Sequence, residues 1–171
     1  MKMRKETDTL GTLNVPKDAL YGIHSMRACQ NFPNNKQFNK AWYVAMGTVK
    51  SVFYLTYQDL FDAGKKKYSL SDLPFSFHPP EKMQALQKAA NEIAEGKHFD
   101  HFIVPAIQGG AGTSINMNIN EIIANVALKH LGEKPGEYDT IDPIEHSNLY
   151  QSTNDVVPTA LRVAAMRHLN E

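Results

Sequence analysis

The sequence has few of the features that mark secreted, membrane-spanning or nucleic-acid-binding proteins. Its single cysteine, Cys29, cannot form an internal disulfide, which fits a reducing compartment. No apolar run is long enough to span a bilayer, and the first eight residues lack the apolar stretch of a signal peptide. The 18 basic side chains balance the 18 acidic ones, and the run at residues 65–67 is interpreted as a solvated turn. We therefore expect a cytoplasmic protein that binds neither membranes nor nucleic acid.

The apolar pattern predicts a mainly α-helical protein. Hydrophobic side chains recur at spacings of three and four in four segments, which is typical of helices with one buried face. The predicted helices are residues 39–62, a segment from Pro80 to Gly96, the segment that follows the glycines at 109–112, and a segment from about Asn154. Residues 9–16 could form a short extended pair, so we expect at most a short β-hairpin near the N-terminus.

The fourth predicted helix has an apolar stripe but no stop signal. Pro158 is tolerable there only if it lies in the first turn. The pattern runs to Glu171 without a cap or a glycine, as expected of a cut through a longer helix. Its stripe consists of Val157, Leu161, Ala164, Ala165 and Leu169. Because this stripe needs a partner, we expect the helix to be poorly anchored or to pair between chains.

The most informative stretch is QGGAGTSINMNINE at residues 108–121, which places glycines and hydroxyl residues directly before an apolar helix. Thr113 and Ser114 could add their hydroxyls to the unpaired N–H groups of the helix start. No lysine follows the glycines as in a Walker loop, and no preceding strand indicates a dinucleotide site. Two interpretations remain: a tight turn with a helix cap, or a site for a small anion such as a carboxylate.

A second cluster of neutral donors lies in QSTNDVVPT, residues 151–159. Ser152, Thr153 and Asn154 stand immediately before a helix, where capping alone accounts for one or two such residues. Two donor-rich helix starts could together hold a dianionic substrate without many buried charges. The alternative is that both are ordinary caps.

Other candidate sites have weaker support. His98 and His101 have the spacing of two metal ligands on one turn, but the sequence offers no obvious third ligand. Cys29 is interpreted as a small buried residue rather than a nucleophile. We predict no metal site and no cofactor.

The two long motifs, QGGAGTSINMNINEIIAN and QSTNDVVPTALR, closely resemble the aspartase/fumarase superfamily, and specifically its aspartate ammonia-lyases. The opening segment DTLGTLNVPKDALYGIHSMRACQNF is similar to the start of the same family. QGGAGTS is closer to the aspartases than to the fumarases. The resemblance covers most of the chain and is weakest over residues 51–80.

The resemblance implies a homotetramer built on a long helical bundle, with each active site assembled from three subunits. It divides the chain into an N-terminal lyase domain, residues 1–150, and the truncated start of a central bundle helix, residues 151–171. By this likeness Thr113, Ser152 and Thr153 would contact a carboxylate of a small dicarboxylate or amino-acid substrate, and Asn154 its amino group. Ser114 is included among the predicted substrate-binding residues.

The sequence also departs from the family. The usual Pro-Asn-Asp-x-Val-Asn is replaced by a segment that begins Pro143-Ile144-Glu145, which weighs against a secondary carboxylate site there. The family's general base, a serine on a Gly-Ser-Ser loop, has no counterpart in these 171 residues. We therefore expect no catalytic residue in this part and no lyase activity from it alone.

The sequence is consistent with three functions. The first is the N-terminal part of a lyase that eliminates ammonia from aspartate or a related amino acid to give fumarate. The second is a fumarase-type hydratase or another fumarate-releasing lyase. The third is a stand-alone binding domain that keeps the fold without catalysis.

Overall fold

A computed structural model describes residues 2–69, 72, 73 and 76–170 of the chain. The chain end at Glu171, to which the helical pattern of the sequence runs, lies outside the described residues. The elements are β1 (Met3–Asp8), β2 (Gly11–Pro16), α1 (Ile23–Asn31), α2 (Lys40–Lys67), α3 (Pro80–Ala94), a 3₁₀ turn (Phe99–His101), α4 (Thr113–His130) and α5 (Thr153–Asn170). The mainly α-helical class and the N-terminal hairpin are confirmed, although the first strand lies upstream of the predicted pair.

The core lies where α2 and α3 pack together and α4 packs against α3. Every residue from 118 to 128 of α4 is buried, so this helix is enclosed on all sides. Isoleucines at positions 119, 122 and 123 fill the interior. Because α4 cannot shift without disturbing the whole core, its first turn is held in a fixed position.

The helix α1 was missed in the sequence because its start is stabilised from far away in the chain. Glu121 of α4, which is buried, supplies its carboxylate to that start. The carboxylate accepts bonds from the backbone N–H groups of Gly22 (2.8 Å), His24 (2.9 Å) and Ser25 (3.2 Å), and from Ser25 Oγ. An acidic group at a helix N-terminus satisfies unpaired donors and favours the helix dipole. The hairpin and α1 are thereby fastened to the central helix.

The helix α5 packs along α2, so the expectation of poor anchoring is not supported. Only part of the predicted stripe is buried: Val157 and Ala164 are enclosed, whereas Leu161 is 47% and Leu169 85% exposed. Pairing between chains through the exposed part stays a prediction. Pro158 is the sixth residue of α5, so the expectation that it lies in the first turn was wrong. Since proline has no N–H, the carbonyl of Asn154 lacks its usual helical partner.

Two smaller features complete the fold. The three lysines at residues 65–67 form the exposed last turn of α2 rather than a turn outside the helix. At the C-terminal end of a helix, their positive charge interacts favourably with the helix dipole. Within the described part of the chain, no helix has both the length and the apolar character that crossing a bilayer requires.

Candidate functional site

The start of α4 owes its shape to glycine. Gly110 and Gly112 have φ angles of 79° and 83°, in the left-handed region that residues with a Cβ rarely adopt. A Cβ on Gly112 would lie 2.9 Å from Cγ1 of Val157 in α5. The glycines therefore let the loop turn sharply and bring the two helix starts together.

The hydroxyl residues of this start are not caps. Gly112 occupies the N-cap position, and no side chain there bonds to the helix N–H groups. Thr113 is exposed and Ser114 half-buried, and neither hydroxyl makes a hydrogen bond with another described residue. The cap interpretation therefore has no support at Thr113 and Ser114, and both hydroxyls are available to a ligand.

The start of α5 is organised differently. Ser152 Oγ accepts from the backbone N–H of Asn154 at 3.1 Å, as an N-cap side chain does. The backbone carbonyl of Ser152 accepts from Asp155 and Val156, each at 3.1 Å. Capping thus explains one of the three donors at this start, and the side chain of Asn154 is exposed.

Thr153 joins the two starts. Its Oγ1 accepts a hydrogen bond from Nδ2 of Asn116 in α4 at 3.1 Å. Asn116 follows Thr113 by three residues, so both lie on one face of α4, with Thr113 one turn nearer the helix start. The structure therefore places the two helix starts side by side, with Asn116 as the bridge.

A cleft of about 450 Å³ opens between the glycine loop and α5. All five predicted binding residues are described in the structure, and Asn154 is the one among them that lines this cleft. Its described lining carries no charged side chain: Trp42, Ala106, Gln108, Gly110, Ala111, Gly112, Ile115, Asn154, Val157, Pro158 and Leu161. The buried Oε1 of Gln108 has no hydrogen-bond partner among the described residues. The cleft thus combines apolar walls with neutral polar groups and two helix N-termini.

A buried polar chain lies beneath the α5 start. Lys50 of α2 is fully buried, and its Nζ donates to Oδ1 of Asn148 at 2.9 Å. The same oxygen accepts from Nδ2 of Asn116 at 3.0 Å. Burial lowers the pKa of Lys50 well below its ordinary value, because a charged ammonium is costly away from water. Lys50, Asn116 and Asn148 thus connect the core to Thr153.

These three residues were missed in the sequence. Lys50 follows Met46 by four residues and therefore lies on the buried face of α2, where a lysine is unusual. A lysine on the buried face of a predicted helix was therefore the sequence signal that could have identified Lys50. Asn116 stands within the glycine motif, but nothing in the sequence shows that it contacts residue 153.

The segment that departs from the family forms a local turn. Asp142 Oδ1 accepts from the backbone N–H groups of Ile144 (2.7 Å) and Glu145 (2.8 Å). The ring of His146 lies 4.6 Å from that of His78, and Lys82 Nζ is 3.5 Å from its Nε2. Burial and these two basic neighbours lower the pKa of His146 to about 4.

The structure does not bring His98 and His101 together on a metal. His98 Nε2 bonds to Glu92 at 2.6 Å, whereas His101 Nδ1 accepts from the backbone of Leu20 at 3.3 Å. The described residues contain no cluster of three or more potential metal ligands. Cys29 is half-buried and donates to the carbonyl of Ile103. Burial raises the pKa of its thiol, as expected for a residue that is not a nucleophile.

Comparison with known proteins identifies the family. The sequence profile of a family described as Lyase matches residues 11–171. The chain belongs to this lyase family. It is 42% identical over 170 residues to an aspartate ammonia-lyase of a Bacillus species, covering 99% of this chain and 33% of that protein. It is 39% identical over 170 residues to the aspartate ammonia-lyase of Escherichia coli K12, with 98% and 33% covered.

Solved lyase structures share the fold. The native structure of a fumarate lyase:delta crystallin from Brucella melitensis matches with a TM-score of 0.86 and 38% identity, over 99% of this chain and 36% of that one. A class II fumarase from Schistosoma mansoni matches with a TM-score of 0.77 and 27% identity, over 95% and 32%. This lyase-family chain therefore spans about a third of the length of the relatives it matches.

Proposed function

We propose that this chain is the N-terminal part of an ammonia-lyase that eliminates ammonia from aspartate, or from a related amino acid, to give fumarate. Its own contribution is to bind a substrate carboxylate through Thr113, Ser114, Ser152 and Thr153, and the amino group through Asn154. The complete enzyme is a homotetramer whose active sites combine several subunits. The observation that carries the proposal is the free pair of hydroxyls at a glycine-shaped helix start, in a chain 42% identical to an aspartate ammonia-lyase.

The composition of the site suits a dicarboxylate. The neutral donors and the partial positive charges of two helix N-termini attract an anion without the desolvation cost of a buried charged pair. Apolar side chains such as Trp42, Ile115 and Val157 line the cleft beside Asn154, and a hydrogen bond formed next to such walls is stronger than one formed in water. A site of this kind can hold a negatively charged group and release the product once the reaction is complete.

These donors also fit the chemistry of elimination. When a base removes a proton from Cβ, negative charge builds up on the neighbouring carboxylate before the C–N bond breaks and ammonia leaves. Hydroxyl donors already in place stabilise this charge most strongly in the transition state. The donors on α4 and α5 therefore supply charge stabilisation, and we expect the base from another part of the complete protein.

A fumarase-type hydratase is the second candidate, favoured by the structural match to the class II fumarase. Both reactions need the same carboxylate binding and differ in whether ammonia or water leaves. The glycine motif favours the ammonia-lyase.

The natural protein that contains this chain provides the test. Fumarate formation, followed by ultraviolet absorbance, should be rapid with L-aspartate and slow with L-malate. Rapid turnover of malate alone would establish the hydratase. Turnover of neither, in a folded protein that still binds succinate, would favour the binding-domain alternative.

The isolated 171-residue chain should have no activity in the same assay. This outcome follows from the expectation that the base lies elsewhere in the complete protein. Turnover above background by the pure chain would show that these residues do contain a base, and the assignment of purely binding roles would then be wrong.

A further inference from the structure

The buried lysine of α2, Lys50, donates a hydrogen bond that can fix the orientation of a neighbouring amide side chain. Lys50 is 0% exposed, and no carboxylate of the described residues forms a salt bridge with it. Its one hydrogen bond among the described residues goes to Oδ1 of Asn148, at 2.9 Å. A lysine amino group carries N–H protons whether it is charged or neutral, so it donates this bond in both forms.

The amide of Asn148 is held in one orientation. Its oxygen faces two donors, Nζ of Lys50 and Nδ2 of Asn116. Its nitrogen donates to the backbone carbonyl of Gln151 at 2.8 Å, and a carbonyl can only accept. Exchanging the oxygen and the nitrogen would place donor against donor and oxygen against oxygen. Lys50 and the Gln151 carbonyl together fix the direction of this amide.

The orientation of the Asn116 side-chain amide is determined by its hydrogen bond to Asn148. Because the Asn148 oxygen accepts, Asn116 must present its nitrogen, and the same nitrogen donates to Oγ1 of Thr153 at 3.1 Å. The oxygen of the Asn116 amide is left buried with no hydrogen-bond partner among the described residues. An unpaired buried oxygen is unfavourable, so this orientation needs an outside constraint.

The direction of the bond to Thr153 decides what its hydroxyl can do. A hydroxyl that accepts from Asn116 keeps its own proton for another acceptor. If Asn116 turned its oxygen toward Thr153, the hydroxyl would donate inward, and a carboxylate in the site would meet only an oxygen lone pair.

We propose that Lys50 is a positioning residue that sets the direction of the hydrogen bonds through Asn148 and Asn116, so that the hydroxyl of Thr153 offers its proton to the substrate carboxylate. The proposal rests on the proposed function in one respect, the presence of a carboxylate at Thr153. The direction of the bonds themselves does not depend on it.

The first test is a double-mutant cycle in the natural protein, with Lys50→Met, Thr153→Val and the double variant. Methionine is an unbranched side chain only one heavy atom shorter than lysine, and it has no hydrogen-bond donor. We expect Lys50→Met to lower kcat/KM for L-aspartate about tenfold when Thr153 is present and to have no further effect in the Thr153→Val background, as for residues of one network. Lys65→Met, on the exposed end of the same helix, is the matched control and should change nothing.

A structural role alone gives a different result. If Lys50 only supports the core, Lys50→Met lowers the free energy of unfolding equally in both backgrounds, and its effect on kcat/KM is the same with and without Thr153. That result, or an unchanged kcat/KM in Lys50→Met, would overturn the proposal.

Neutron crystallography of the deuterium-exchanged wild-type protein gives a second test that requires neither catalysis nor a stable variant. The expected result is the hydroxyl deuteron of Thr153 directed away from Asn116 and the deuterons of the Asn116 amide directed toward Thr153 and Asn148. A deuteron of Thr153 directed at Asn116 would overturn the proposal. An outward deuteron in a protein that turns over no amino acid would instead uphold the bond direction and refute the proposed function.

Discussion

The two helix starts look alike in sequence and differ in structure. Both place hydroxyl residues directly before an apolar helix, yet α4 begins at a glycine with no side-chain cap, whereas α5 begins with a serine that caps it. At the α4 start Thr113 has no bond to another described residue, and at the α5 start Thr153 is tied to Asn116. The same residue types therefore form a start open to a ligand in one helix and a partly satisfied start in the other.

The difference follows from what each start must do for the fold. The loop before α4 needs left-handed backbone angles and close contact with Val157, which glycine provides, so the hydroxyls after it have no structural task. The loop before α5 has ordinary donors to satisfy and uses Ser152 for one of them. Each prediction below changes one residue of one of the two starts.

Thr113→Val should have the largest effect, on catalysis by the natural protein. Removing one hydroxyl that stabilises charge in the transition state should lower kcat/KM. The loss should correspond to roughly 2–4 kcal/mol of transition-state stabilisation. The melting temperature should barely change, because the hydroxyl makes no bond within the described fold. Steady-state kinetics and thermal melting measure the two quantities. Thr159→Val, at an exposed position of α5, is the control and should be silent.

Gly112→Ala should destabilise the protein by about 2–3 kcal/mol, since it combines a left-handed residue with crowding against Val157. Gly110→Ala is the matched control, because its φ is similar but its added Cβ would meet nothing within 4 Å. It should cost about 1–2 kcal/mol, from the backbone alone. Chemical denaturation of both variants gives the difference, and equal losses would show that contact with α5 does not matter.

Ser152→Ala should lower the free energy of unfolding by about 1 kcal/mol through loss of the cap to Asn154. Ser152→Asp separates capping from binding, because aspartate caps a helix well but repels a carboxylate. We expect it to melt like the wild type and to have much lower activity. Normal activity in Ser152→Asp would remove Ser152 from the binding residues.

Ser114→Ala should have the smallest effect on stability, within about 0.5 kcal/mol, since its hydroxyl bonds to no described residue. Its effect on KM decides whether Ser114 belongs to the site with Thr113. A large loss of stability would instead mean that the hydroxyl has a structural partner in the complete protein.

Much of this fold can be predicted from local sequence patterns. The elements that cannot be predicted in this way are determined by contacts between residues far apart in the chain. The apolar spacing predicts α2, α3 and α4 because each presents one or more faces to the core. It does not reveal α1, whose start is stabilised by Glu121, nearly 100 positions along the chain. Nor does it show that α5 turns Leu161 outward, since the partner face was set by packing on α2.

In the candidate site, too, some features can be predicted from the sequence and others depend on contacts between distant residues. Glycines and hydroxyls before a helix are visible in sequence, whereas the contact between Thr153 and α4 is seen only in the structure. The sequence could not distinguish a capping serine from a free threonine, because both are favoured at helix starts. It also could not reveal the chain from Lys50 to Asn148, which joins residues 98 positions apart.

The affinity of the natural protein for succinate, a dicarboxylate that cannot react, tests the central claim most directly. Inhibition constants of wild type, Thr113→Ser and Thr113→Val would be compared under one set of conditions. If the open start of α4 binds a carboxylate, Thr113→Ser should bind as the wild type does and Thr113→Val about tenfold or more weakly, the loss of one bond to a charged group. Equal affinity of Thr113→Val and the wild type would contradict the account.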